Sequence, residues 1–229
     1  MERIRAVLLD ALGTLLHFEP PAPLLQVELR ERHGLDVSLD AAQAAMKAEI
    51  AFYRAHLDEG RDAASLADLR RRAADAMRPV LGTDADLTEA LLAALRFRAY
   101  PDAAPALREL RAAGMRLVVV SNWDHSLHER LEETGLAPLV DGAVASAELG
   151  HAKPAPAIFE SALELAGAGR REALHAGDSP VEDVEGALAA GLRAVLVARD
   201  GAAGAPAGVP RIRTLAELPP LCEYARSAP

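Results

Sequence analysis

Cysteine is almost missing from this 229-residue chain: Cys222, in the C-terminal tail, is the only one. An intrachain disulfide framework and a cysteine-based metal cluster are therefore excluded, and a reducing, cytoplasmic compartment is expected. Lysine is nearly as scarce, with Lys47 and Lys153 alone among 25 basic residues, and Asn122 and Trp123 are the only residues of their types. Where a chain prefers arginine this strongly, a retained lysine hints that a compact ammonium is needed at that place. Long apolar runs are also missing. The first, Ala6–Leu9, stops at Asp10, far short of the roughly 18–20 apolar residues that cross a bilayer, so neither a signal peptide nor a membrane span is expected. Positive charge is in deficit, 25 Lys and Arg against 34 Asp and Glu for a net charge of −9. Such a surface repels phosphate backbones and anionic lipids, which excludes nucleic acid and membranes as partners and leaves a small molecule. What is present, 51% hydrophobic and 26% charged residues, is ordinary for a globular fold of one or two domains.

Short apolar runs alternate with helical patterns over most of the chain, as in an α/β fold whose parallel strands are buried on both faces by crossover helices. Strands are expected at Ile4–Leu9, Leu117–Val120, Ala143–Ser146, Ala173–Ala176 and Ala194–Val197, with helices near 103–113, 125–134, 155–166 and 180–190. Gly114, Gly135, Gly167 and Gly191 stand where a left-handed residue would end each helix. Gly186, inside the last of these helices, suggests close packing of that helix on the sheet. Residues 18–98 break the alternation. Ala42, Met46, Ile50, Tyr53 and Leu57 lay one apolar stripe along a helix, and further helices are expected near 24–33, 62–77 and 85–97, the last capped by Thr83. The chain therefore divides into an α/β core, 1–17 and 99–229, and an inserted all-helical cap, 18–98. Residues 199–210, rich in Gly, Ala and Pro, read as loop, and Ile212–Leu218 close the fold weakly.

In an open parallel sheet, ligands bind beyond the carboxyl ends of the strands. Those ends carry Asp10-Ala-Leu-Gly-Thr-Leu15 after the first strand, Ser121-Asn122 after the second, Lys153-Pro154 before a helix, and Gly177-Asp178-Ser-Pro-Val-Glu-Asp183 after the fourth. Four motifs in this order, over about 4–198, resemble the haloacid dehalogenase superfamily of hydrolases, which implies a Rossmann-like parallel sheet with a helical cap inserted after the first motif. Ser121-Asn-Trp-Asp124 and the first motif are similar to the branch of domain-containing protein 3 in that superfamily.

The resemblance assigns roles. Asp10 would be the nucleophile, a carboxylate that attacks phosphorus or carbon and leaves an acyl intermediate for water to cleave. Ser121 and the amide of Asn122 would hold oxygens of the transferring group at a helix N-terminus, and Lys153 would neutralise charge on both. Asp10, Asp178 and Asp183 would repel without a cation. A Mg²⁺ site is therefore expected from Asp10, the backbone carbonyl of Leu12 and Asp178, with Asp183 behind these ligands or reaching the ion through water. Asp183 also reads as a first-turn acid of its helix, and Asp124 as a helix cap. Trp123 suits either the substrate entrance or packing under the cap. His125 and His128 share an exposed helix face, His17 and His151 lie near the mouth, and none of these or His175 shows a ligand spacing with a partner acid.

One position departs from the family. Phosphatases of the superfamily carry a second aspartate two residues after the nucleophile as general acid and base, and here that residue is Leu12. Three expectations follow: a Mg²⁺-dependent phosphatase-like hydrolase of a small phosphorylated metabolite, a 2-haloacid dehalogenase, whose halide leaves without a proton, or a non-catalytic phosphate-binding protein. Against the second, Phe159 stands where dehalogenases carry a tyrosine.

Overall fold

Four consecutive apolar residues, Ala6–Leu9, are buried on both faces and form β1. The central strands beside it are likewise apolar and buried over most of their length. The computed structural model describes residues 3–201, 204 and 206–224. Its strands are β1, β2 (Leu16–Phe18), β3 (Phe97–Ala99), β4 (Arg116–Ser121), β5 (Gly142–Ala145), β6 (Ala173–Gly177), β7 (Arg193–Val197) and β8 (Arg211–Ile212). Six make one sheet in the order β5-β4-β1-β6-β7-β8, and β2 pairs with β3. All the main-sheet pairings are parallel. Helices Ala103–Ala112, Leu127–Glu133 and Pro156–Ala166 alternate with the strands, and Gly114, Gly135, Gly167 and Gly191 all have positive φ at the stops.

Register places the site. Leu9 pairs with Val119 on one side and with Ala176 on the other, so Asp10, Ser121 and Gly177 leave the sheet along one carboxyl edge. Phe159, Ile158, Val118, Val120, Leu8 and Leu196 are among the buried residues of this unit's core. With about 25 cal/mol gained per Å² of apolar surface removed from water, this core holds the strand ends rigid.

The structure departs from the sequence expectation at several points. Arg211–Ile212 adds a sixth strand on β7, with Leu215 and Leu218 buried behind it; a two-residue strand has too little pattern to read. Of the expected loop 199–210, residues 202, 203 and 205 lie outside the described residues. Cys222 is buried in the helix Leu218–Tyr224. The helix expected over 180–190 is a π-helical turn, Pro180–Glu185, followed by a short α-helix, Gly186–Ala189. The stretch does pack with the sheet residues, through Val184 and Ala187, but Gly186 itself faces elsewhere: a Cβ there would lie 2.9 Å from Pro154 Cα and 3.1 Å from Phe159 Cε2. Its close neighbours are therefore the Lys153-Pro154 segment and the following helix.

Contacts divide the described chain into two compact units, Met1–His17 with Ala99–Pro229, and Phe18–Arg98. The second has its own core of Leu25, Leu29, Met46, Met77, Leu87 and Leu91 with small alanines between them. Its helices are Pro21–His33, Leu39–His56, Ala63–Asp75, Arg78–Leu81 and Thr88–Ala94. Thr83 does not cap the last: its hydroxyl accepts from the Ala85 amide, and Asp86 accepts from the amide and hydroxyl of Thr88 instead. Along Leu39–His56 the buried positions are Ala42, Ala45, Met46 and Glu49, so a carboxyl occupies the stripe where the periodicity pointed to Ile50. Among the described residues, no helix is long and apolar enough to cross a membrane.

Burial pushes the Glu49 carboxyl from 4.5 up to about 7. The folded state thus holds this proton more tightly than the unfolded chain does, so its contribution falls as pH rises from about 4.5 to 7 and stays unfavourable above that. Glu49→Gln is expected to stabilise the protein by about 1–3 kcal/mol at pH 8 and to change little near pH 4.5. Thermal melts at both pH values check this, and an equal effect at both would contradict it.

Candidate active site

The chain leaves β1 at Asp10 and turns back at once. Ala11 O accepts the amides of Leu15 and Leu16 at 2.8 Å, and Gly13 N–H donates to Leu16 O at 2.8 Å. None of these bonds uses the Leu12 carbonyl. Gly13 has φ of +89°, and a Cβ there would lie 2.2 Å from Asp178 Oδ2. Only glycine supplies both the left-handed backbone and the room for that carboxylate. The loop is also tied from beyond β7: Arg199 donates to Thr14 O at 2.6 Å, pairs with both oxygens of Asp102, and stacks 3.6 Å from the centre of the Tyr100 ring. No motif in the sequence pointed to Arg199.

At the centre lies Lys153, its ammonium 2.6 Å from Asp10 Oδ1 and 2.6 Å from Asp183 Oδ1. All three residues are buried. The Ser121 hydroxyl donates to the same Asp10 oxygen at 3.1 Å, whereas Asp10 Oδ2 is buried with no hydrogen-bond partner among the described residues. Asp183 is held from three directions. His175 Nε2 lies 2.9 Å from its Oδ1, and the Ser179 amide donates to its Oδ2 at 2.9 Å. A Cβ on Gly177 would lie 2.1 Å from its Cγ, so this glycine leaves the space that the carboxylate fills.

The electrostatics follow from burial and crowding. Burial raises the Asp10 carboxyl against the pull of Lys153. Burial, then Asp10 and Asp183, push Asp178 up to about 7. Asp183 is held low: burial opposes ionisation, but Lys153 and His175 outweigh it. Lys153 stays charged although burial disfavours it, because Asp10 and Asp183 flank it. One ammonium thus faces three carboxylates, and oxygens of Asp10, Asp178 and Asp183 lie within 4.8 Å of one another. A divalent cation would balance the two surplus charges and satisfy the unpartnered Asp10 oxygen, so this set of hard oxygens fits Mg²⁺.

The remaining candidates fall in defined places. Asn122 directs its side chain at Lys153: Oδ1 accepts from the Lys153 amide at 2.7 Å, and Nδ2 donates to its carbonyl at 3.0 Å. An amide offers both a donor and an acceptor for this clamp, which no carboxylate can. Asp124 is not the cap of the following helix, whose cap position is Ser126; it accepts from the amide and hydroxyl of Ser126 at 2.7 and 2.5 Å in the turn before it. Trp123 is buried, with Nε1 donating to Ser126 Oγ at 3.2 Å. The His17 ring sits 4.8 Å from that of Tyr100, and His151 is exposed. His125 and His128 do have an acidic partner, since both contact Glu148, at 2.6 and 3.2 Å. This acid is 20 residues beyond His128, outside any local spacing. His175 is the residue whose part the sequence concealed; its one signal was an imidazole within an otherwise apolar strand.

A model of the haloacid dehalogenase-like hydrolases matches residues 4–191. The chain belongs to that family. It is 42% identical to haloacid dehalogenase-like hydrolase domain-containing protein 3 of Bos taurus over 92 residues, 40% of this chain and 37% of that protein. It is 40% identical to a phosphoserine phosphatase of Thermus thermophilus over 105 residues, 45% of this chain and 42% of that protein. The chain thus spans about two fifths of the length of the curated relatives it matches. Among solved structures, a 2-haloacid dehalogenase from Pseudomonas syringae pv. Tomato DC3000 superposes with a TM-score of 0.69 at 27% identity, covering 98% of this chain and 100% of that one. This haloacid dehalogenase-like hydrolase therefore has a phosphatase among its relatives by sequence and a dehalogenase among its neighbours by structure.

The Gly13 contact yields a test. Gly13→Ala would strain a left-handed residue and drive its methyl into Asp178, so hydrolytic turnover is expected to fall about 100-fold, as an ångström-scale misplacement of reacting groups can cause. Wild-type kcat in a folded Gly13→Ala protein, confirmed by a melting curve, would contradict this.

Proposed function

We propose that this hydrolase is a Mg²⁺-dependent phosphatase of a small phosphorylated metabolite, with 1–17 and 99–229 as its catalytic core and 18–98 as a cap that selects the substrate. The observation that carries the reading is the charge arrangement: Lys153 bridges Asp10 and Asp183 at 2.6 Å, while Asp10 Oδ2 and Asp178 are left for a cation. A dehalogenase has no need of that surplus of carboxylates.

In this mechanism Asp10 Oδ1 attacks phosphorus, the bond to the leaving oxygen breaks, and the phosphoryl group resides on Asp10 as an acyl phosphate. Lys153 and Ser121 already lie beside that oxygen, so their donors serve the phosphoryl oxygens as charge develops. Water then attacks phosphorus, releasing inorganic phosphate and restoring the carboxylate. Asp10, the Leu12 carbonyl and Asp178 would hold Mg²⁺, with Asp183 nearby. The ion supplies charge neutralisation on the transferring group. Both Asp183 oxygens already accept hydrogen bonds, which favours an indirect role for it through Lys153.

A second reading, a 2-haloacid dehalogenase, is favoured by Leu12 and by the dehalogenase of Pseudomonas syringae. Steady-state assays with p-nitrophenyl phosphate across a Mg²⁺ titration and with 2-chloropropionate separate the two. Mg²⁺-dependent phosphate release, abolished in a folded Asp10→Asn protein, is expected. Metal-independent chloride release would establish the second reading, and neither reaction would leave only phosphate binding.

Leu12 generates a sharper expectation. Without a proton donor two residues from Asp10, rates should fall steeply as the leaving group becomes more basic, so aryl phosphates should far outpace alkyl phosphates. Leu12→Asp is expected to raise alkyl-phosphate hydrolysis more than aryl-phosphate hydrolysis, by up to about 100-fold. A stable, Mg²⁺-binding Leu12→Asp protein with no gain on any alkyl phosphate would sink the idea that the missing acid limits the reaction.

A further inference from the structure

His175 lies in β6, flanked by β1 and β7, with 0% of its surface exposed. Its neighbours in the strand are Ala173, Leu174, Ala176 and Gly177, and its ring forms a T-shaped pair with that of Phe159 at 5.1 Å between centroids. A leucine or phenylalanine would suit such a place better on burial alone, because an imidazole brings two polar nitrogens into an apolar layer. One of them, Nδ1, has no partner among the described residues. The other makes a single contact, 2.9 Å to Asp183 Oδ1. A carboxylate held by an ammonium only accepts, so Nε2 must carry the hydrogen.

That contact bears on the reacting groups through two short links. Asp183 Oδ1 receives both the His175 ring and the Lys153 ammonium, and the ammonium in turn donates to Asp10 Oδ1. The Ser179 amide fixes the other Asp183 oxygen, and Gly177 leaves the volume in which the carboxylate lies. Without the ring, the only direct partner of Oδ1 would be a flexible lysine, and the carboxylate plane would rest on the Ser179 amide alone for a fixed hydrogen bond.

We infer that His175 is a positioning residue of this active site: from inside the sheet it fixes the Asp183 carboxylate, which fixes Lys153 against Asp10. The inference rests on the phosphatase reading for its kinetic consequence but not for its geometry.

The test compares His175→Leu, which removes the donor at similar volume, with His175→Gln, whose amide nitrogen can donate near the place of Nε2. On p-nitrophenyl phosphate with Mg²⁺, the Leu variant is expected to lose about 10- to 100-fold in kcat with KM changed less than about threefold, and Gln to recover most of the loss. Melting curves establish that both are folded. Wild-type kcat in the Leu variant, or a folded Gln variant no better than Leu, overturns the inference. A long-range ¹H–¹⁵N spectrum of the wild-type protein provides the measurement that needs neither variant nor turnover. It should show hydrogen on Nε2 of His175, in a resonance that shifts in Asp183→Asn; a bare Nε2 overturns the inference. If the wild-type enzyme hydrolyses no phosphate ester, the phosphatase reading fails while this spectrum still decides the role of His175.

Discussion

A buried lysine held at 2.6 Å from two carboxylates is the constraint around which the candidate active site is built. Taking an ammonium and two carboxylates out of water costs several kcal/mol per ion, and their attraction offsets that only when the geometry is good and the remaining lone pairs are satisfied. The fold meets this condition by fixing each partner separately. Asn122 clamps the backbone of Lys153, Ser121 donates to Asp10, and His175 with the Ser179 amide holds Asp183. Removing any of the three charges would strand the others in a dry site. Ionic partners arranged in this way give little net stability, but they fix where charge sits, which is what the proposed reaction at phosphorus would need.

Two glycines of the motifs, and a third just beyond the last of them, carry the same logic in the negative. Gly13 stands where Asp178 needs room, Gly177 where Asp183 does, and Gly186 where Pro154, next to the lysine, approaches the following helix. Three of the four motifs are thereby locked to one another by volumes that no side chain may fill. A glycine in a helix costs roughly 1 kcal/mol relative to alanine, and at Gly186 the structure shows what that cost is for. The direction this glycine faces, towards the lysine segment while Val184 and Ala187 of the same stretch pack with the sheet residues, was not readable from the sequence, because a helical glycine reports that something is close without reporting what.

Other features were legible in proportion to how local their causes are. The buried strands could be read because a strand covered on both faces needs apolar residues at every position, and a run such as Leu117-Val-Val-Val120 has few other homes. The residues at the strand ends followed from chain order. Long-range hydrogen bonding did not. Asn122 holds Lys153 across 31 residues, and His125 finds Glu148 across 23, so spacing rules could not find either. Thr83 failed as a helix cap because the helix begins only at Thr88, five residues later, with Leu87 at the cap position. Glu49 escaped notice because periodicity counts apolar residues and passes over a buried carboxyl between them.

Leu12 acquires a different meaning once the charges are placed. With Asp10, Asp178 and Asp183 ionised, one lysine and one divalent cation bring the proposed site to neutrality, and no group in it has a reason to hold a proton. A fourth carboxylate two residues from Asp10 would be one too many, and the excess would be relieved by protonation of the member least well compensated. That protonated carboxyl is what a general acid is. In the proposed phosphatase, leucine at this position would therefore leave the binding of an anion and a cation intact and remove the proton reservoir, so that an acyl phosphate could still form but only from a substrate whose leaving group departs unaided.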